Sequence, residues 1–300
     1  MPENNIIGKY MNGNFLTTIY SDGTLIRETE DDKFVPAFAS NMDIKITDHC
    51  NMGCKFCHEG SSINGKHADI MSENFVDTLH PYQEVALGGG DVTSHPDLIP
   101  FLEKLKSLNV IANITISQKH FEEKFDLIQD LVNKQLIYGL GVSLVKPTPE
   151  FIEKIKQFPN AVIHIINGIV DWRDLIDLTN NDLKILILGY KNLRRGEEFY
   201  RLESPNIERK QRWLSRNLPY LLSCFKVVSF DNLAIEQLNV KSLLSEEDWN
   251  SFYMGDDSEF TYYIDMVERK FAKNSTAPLE ERYNLLDSVD EMFETVRKPL

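Results

Sequence analysis

Between residues 43 and 222, short apolar runs alternate with longer helical stretches. That alternation restricts the fold more than any other feature of the chain. The strand-like runs are 43–47 (Asp-Ile-Lys-Ile-Thr), 84–87 (Glu-Val-Ala-Leu), 109–116, 138–145, 161–166 and 184–188 (Lys-Ile-Leu-Ile-Leu). Helices are expected near 72–80, 97–107, 121–134, 149–157, 171–178 and 205–222. Thr148-Pro149 and Ser204-Pro205 each read as an N-cap followed by proline at the first helical position. Strands separated by helices argue for an α/β fold with a parallel sheet or barrel.

The flanks differ. Residues 8–27 read as a β-hairpin, with turn signals at Asn12-Gly13-Asn14 and Ser21-Asp22-Gly23 around Phe15–Tyr20. After residue 222 the pattern loosens. Strands are expected at 225–230 and 259–265, a capping box at Ser245-x-x-Asp248, and an amphipathic helix over 286–297. The resulting division is 1–41, 42–222 and 223–300.

A formal charge of −14 weighs against a broad nucleic-acid surface. The chain has no run of eighteen apolar residues, and its N-terminus lacks a basic-then-apolar pattern. No membrane partner and a cytoplasmic location are therefore expected. Four cysteines, three of them clustered, make a disulfide framework unlikely.

The cluster is Cys50, Cys54 and Cys57, spaced C-x3-C-x2-C directly after the first strand of the array. In parallel α/β barrels, chemistry gathers at the carboxyl ends of the strands. Three thiolates on one short loop can hold three irons of a cubane iron–sulfur cluster and leave the fourth open to a small molecule. A structural zinc is the other reading, and it needs a fourth ligand from His58, His49, Cys224 or further away. The second strand runs into Leu87-Gly88-Gly89-Gly90-Asp91. Its glycines allow close approach of a ligand to the backbone, or form a plain strand-to-helix turn.

The cysteine spacing, Phe56 just before the last cysteine, and Gly89-Gly90-Asp91 in place of a Gly-Gly-Glu motif together resemble the radical SAM superfamily over about residues 42–190. The resemblance implies an α/β fold of the partial (β/α)6 TIM-like barrel kind over 42–222. An N-terminal β-hairpin extension and a C-terminal α+β extension on the substrate side would flank it. It implies that Cys50, Cys54 and Cys57 ligate an oxygen-sensitive 4Fe–4S cluster, with S-adenosylmethionine (SAM) on the open iron. Phe56 would lie near the adenine, and Gly89, Gly90 and Asp91 would receive the methionine ammonium. Asn113, Thr115 and Ser143 would approach the ribose or carboxylate, and Gly189 the adenine. A low-potential donor, a flavodoxin or ferredoxin, would supply one electron. SAM would then give a 5′-deoxyadenosyl radical that takes a hydrogen atom from substrate inside an apolar barrel. Cys224 is a candidate hydrogen donor to the substrate radical, or else a small buried apolar residue. Lys191, Arg194 and Arg195 form a basic patch that could take a substrate anion. Asp231, Asn232, Glu236 and Gln237 are further candidate contacts. A peptide or small molecule is expected as substrate, with a nucleotide or nucleic acid as the alternative.

Overall fold

The computed structural model describes residues 5–297. Residues 1–4, which carry most of the N-terminal run read for a targeting signal, lie outside that range. Strands β1 (Ile6–Asn12), β2 (Phe15–Tyr20) and β3 (Leu25–Glu28) form a separate antiparallel sheet, so the expected hairpin gains a third strand.

The main array follows as β4 (Asn41–Thr47), β5 (Glu84–Gly89), α1 (Leu98–Ser107), β6 (Ile111–Ser117), α2 (Gln118–Glu123), α3 (Phe125–Asn133), β7 (Gly139–Ser143), α4 (Pro149–Ile155), β8 (Ala161–Ile166), α5 (Trp172–Leu178), β9 (Lys184–Leu188) and α6 (Arg195–Leu221). The rest is β10 (Val227–Phe230), α7 (Asn232–Leu238), α8 (Glu246–Phe252), β11 (Thr261–Asp265), β12 (Lys270–Ala272), β13 (Tyr283–Asn284) and α9 (Val289–Arg297). One ten-stranded sheet runs in the order β10-β9-β8-β7-β6-β5-β4-β11-β12-β13. Strands β4 to β10 are parallel and sequential, and β11 adds parallel to β4. This is the partial barrel, and its two unpaired edges, β10 and β13, leave a seam. The segment after residue 222 is thus hydrogen-bonded into both ends of the parallel array. Across the seam Asn232 Nδ2 donates to Asp257 Oδ1 at 2.8 Å, and on the β11–β12 side Asn274 Nδ2 donates to Asp257 Oδ2 at 2.5 Å.

Alternation decides what each strand buries. Ile44, Val85, Leu87, Ile114, Ile116, Val142, Ile163 and Ile187 pack outward against the helices in one continuous core. Their neighbours on the inner face include Asp43, Lys45, Glu84, Asn113, Thr115, Ser143 and His164. The lumen is therefore polar on its β4–β7 side, which corrects the expectation of an apolar interior there, while Val162, Ile166, Leu186 and Leu188 of β8 and β9 keep the other side largely apolar. The N-terminal sheet closes the amino-terminal end of the barrel: Asn160 Nδ2 donates to Ser21 O at 3.1 Å and Lys184 Nζ to Asp22 O at 2.7 Å.

Two local expectations fared differently. Thr148 does cap α4, accepting from Phe151 N at 3.1 Å, with Pro149 at the first turn. Ser204-Pro205 starts nothing, because both lie inside α6. A proline removes one helical hydrogen bond. Here the good helix formers on either side, and burial of Ile207, Leu214 and Leu218, outweigh that loss. The expected 121–134 helix divides at Lys124, whose side chain is drawn to Asp91.

Candidate active site

The residues after β4 leave its carboxyl end and come back beside it, where Thr47 and His67 form a bridge. Backbone bonds pin the excursion from inside: Asp48 N to Lys66 O at 2.8 Å, Cys50 N to Ser62 O at 2.9 Å and Ser62 N to Asp48 O at 3.0 Å. Cys50, Cys54 and Cys57 are free, half-buried thiols on this loop. Burial pushes the Cys50 and Cys54 thiols up. For Cys54 the other two thiols add to that, while the Arg195 charge opposes it for both. The three sulfurs thus share one electrostatic environment. Among the described residues, no three His, Cys, Asp or Glu side chains converge as ligands of a single ion. A cubane takes each thiolate on a different iron, so this donor set fits a cluster better than one zinc.

Of the basic patch expected to meet substrate, Arg194 and Arg195 hold this loop instead, and Lys191 binds the segment after β12. Arg195 donates from Nε to Cys54 O at 3.1 Å and from Nη2 to Ser61 O at 2.8 Å. Arg194 donates to Glu59 O, and Lys191 Nζ to Ser275 Oγ at 2.9 Å. Lys45 is fully buried beneath the loop, 2.7 Å from Asp48, 3.3 Å from Glu59 and 3.2 Å from Asp265, which Arg282 also reaches at 3.2 Å. Burial opposes ionisation of Glu59. Its His58 hydrogen bond, with the Lys45 and Arg194 charges, nevertheless holds its carboxyl well below the usual range.

The glycine segment joins the same loop. Gly90 N donates to Thr47 O and Asp91 N to His49 O, both at 2.7 Å. A Cβ on Gly90 would lie 2.1 Å from His49 O, and one on Gly89 would lie 2.3 Å from Thr47 O at φ +113°. Side chains are excluded here by backbone contact. Asp91 is buried, and its carboxylate accepts from Thr93 N at 3.1 Å and from Lys124 Nζ at 3.1 Å. That carboxylate is already engaged within the protein, so its expected direct contact with a ligand ammonium needs revising.

The other candidates scatter. Phe56, Gly189 and Lys191 line one crevice with His58, Ile166 and Leu188, at the carboxyl ends of β8 and β9. Asn113 is occupied by Gly139 N at 2.7 Å and Glu84 at 3.3 Å, toward the opposite end of the lumen. Thr115 and Ser143 lie on the inner face near His164, whose ring crosses Gly141. Cys224 precedes β10, at the amino-terminal end of the strands. It is 6% exposed within the core, and its thiol donates to Tyr220 O at 3.4 Å. That places it away from the cysteine loop and removes the geometric basis for a hydrogen donor. Asp231 caps α7 and holds Gly189 N at 2.8 Å, Asn232 bridges the seam, and Gln237 binds the Tyr190 backbone.

Sequence reasoning missed a histidine group around the loop. His49 meets Ser94 at 3.0 Å, His67 meets Thr47 at 2.8 Å, and His120 reaches Asn51 at 2.7 Å. The His67 ring also packs against His49 and His95. Six of the seven histidines falling between residues 49 and 120 was the available signal.

Residues 44–181 match the family model described as the Radical SAM superfamily. A probable GTP 3′,8-cyclase of Methanocaldococcus jannaschii is 28% identical over 166 residues, 53% of this chain and 52% of that protein. The chain thus matches about half the length of that curated relative. Crystal structures of Streptococcus suis SuiB align as well. The SAM-bound form gives a TM-score of 0.56 at 14% identity, over 86% of this chain and 64% of that one. The form bound to precursor peptide SuiA gives 0.55 at 14% identity, over 86% and 65%. The SuiB likeness is one of fold. The sequence match identifies residues 44–181 as a radical SAM superfamily domain, and the fold and the loop agree with it.

Proposed function

We propose that Cys50, Cys54 and Cys57 hold the family's 4Fe–4S cluster, and that the enzyme uses SAM to remove a hydrogen atom from a peptide or small-molecule substrate. The observation carrying this reading is the attachment of the glycine segment to the cysteine loop through Gly90 N–Thr47 O and Asp91 N–His49 O. These two bonds support a shared site for the thiols and the glycine backbone at the carboxyl ends of β4 and β5. When bound, the cluster and SAM would supply one-electron reductive carbon–sulfur cleavage, fed by a low-potential donor, and through it the hydrogen abstraction.

The protein's own groups do the rest. Arg195 holds the Cys54 and Ser61 carbonyls and so sets the loop's shape. Lys45 ties Asp48 and Glu59 of the loop to Asp265 of β11. The crevice of Phe56, Ile166, Leu188 and Gly189 offers an apolar slot for a planar base, beside the loop. Lys124 neutralises Asp91 and fixes the turn after β5.

The cyclase relative and SuiB are named for a nucleotide and a peptide, respectively. The inner face supports the second class. Asp43 and Glu84 place carboxylates in the lumen, which disfavours a triphosphate. Among the described residues, no helix is long and apolar enough to cross a membrane.

The test is anaerobic reconstitution with iron and sulfide, followed by dithionite and SAM. A brown protein releasing 5′-deoxyadenosine is expected, and Cys54→Ser should lose both colour and product. A colourless protein retaining one zinc would overturn the reading.

A further inference from the structure

The carboxylates around the lumen are accounted for with one exception. Glu84 pairs with Asn113. Asp265 pairs with Lys45 and Arg282, and Glu59 with His58, Lys45 and Arg194. Asp231 caps a helix, and Asp257 accepts from Asn232 and Asn274. Asp43, on the inner face of β4, makes no hydrogen bond or ion pair with any described residue. A carboxylate enclosed by protein is normally partnered.

Asp43 is both reachable and enclosed. Its side chain is open to solvent, yet the surrounding protein desolvates it enough to raise its carboxyl above the usual range; Asp231, Asp257 and Glu59 add to that and Lys191 opposes it. The register neighbours of Asp43 are Ala86 on β5, which leaves space, and Tyr263 on β11. Tyr263 is 3% exposed, shares the inner face, and has a hydroxyl with no hydrogen-bond partner. At about 3.3 Å per residue, Asp43 lies roughly 13 Å along β4 from Thr47, where the cysteine loop begins.

We infer that Asp43 is a substrate-recognition residue that receives a cationic group, an ammonium or guanidinium, while the reacting carbon sits higher in the lumen beneath the cysteine loop. The Asp231, Asp257 and Glu59 carboxylates favour that charge and Lys191 opposes it, and the depth of Asp43 requires an extended substrate. The assignment names the substrate class for the site proposed above and rests on that reading for where the reaction occurs.

Binding tests it without turnover. The reconstituted protein is titrated calorimetrically with two cationic probes, free cadaverine and the peptide Gly-Gly-Lys-Gly-Gly. Each is compared with a neutral counterpart, pentanol and the same peptide acetylated on lysine. At least one cation should bind more tightly than its counterpart. Asp43→Asn should abolish that preference, with a loss of about tenfold or more. Which arm responds separates a free amine from a basic side chain. Cluster absorbance and thermal midpoint show that the variant is folded, and Tyr263→Phe gives a second variant expected to weaken the same probe. Equal binding of cation and neutral probe in both arms, or a preference unchanged in Asp43→Asn, overturns the inference. Loss of SAM cleavage in the wild type would instead strike the reading above, and leave an Asp43-dependent cation preference standing.

Discussion

The two faces of the barrel sheet obey opposite rules. Outward residues of β4 to β9 are apolar and almost all fully buried among helices. Inward residues of β4 to β7 are mostly polar or glycine, β8 and β9 add Val162, Ile166, Leu186 and Leu188, and most retain some exposure. The outer face removes apolar surface from water and supplies most of the stability. The inner face contributes little packing and offers groups to a ligand. Lys45 is the exception, an inward residue that is 2% exposed and holds three carboxylates.

The largest effect should come from that exception. Lys45→Met leaves Asp48, Glu59 and Asp265 crowded without their cation, and should cost about 3–5 kcal/mol by chemical denaturation. A loss below about 1 kcal/mol would make Lys45 an ordinary inner-face residue.

Adjacent positions on β6 test the rule itself. Ile114→Ala should cost about 2–5 kcal/mol, because it opens a cavity in the outer core. Thr115→Ala, one residue on, should cost under about 1 kcal/mol. Equal losses would break the distinction between the faces.

His164 sharpens it by pH. Burial pushes this inner-face histidine down to about 4, from an ordinary value of 6.5. The unfolded chain then binds a proton between those values and the folded chain does not. Stability therefore falls as pH drops from about 6.5 to 4, by up to roughly 3 kcal/mol from this group. His164→Asn should flatten that part of the thermal-midpoint profile, and an unchanged slope would show that His164 is not desolvated. The smallest effect is local and belongs to neither face. Thr148→Ala should cost about 1 kcal/mol by removing the α4 cap.

The strand array, Thr148-Pro149 and the cysteine spacing were legible because each rests on neighbours in sequence. The α6 start was not, because the Ser204-Pro205 signal is local while the burial that overrides it comes from distant strands. The roles of Arg194, Arg195 and Asp231 were hidden for a related reason. An exposed-looking basic or acidic residue reads the same whether it meets substrate or a backbone carbonyl more than a hundred residues away, as Arg195 meets Cys54.

By itself the sequence determined the βα alternation, the family and the loop that carries the three thiols, since periodicity and short-range spacing encode these directly. Tertiary structure decided the rest. Curling the sheet turned alternate residues inward and made the β4–β7 side of the lumen polar. It brought Lys45, Glu59, Asp265 and Arg282 together from both ends of the chain, and it left Cys224 at the far end from the loop. Charges far apart in sequence acquire partners only when strands take their register. For the same reason, only the register leaves Asp43 without one.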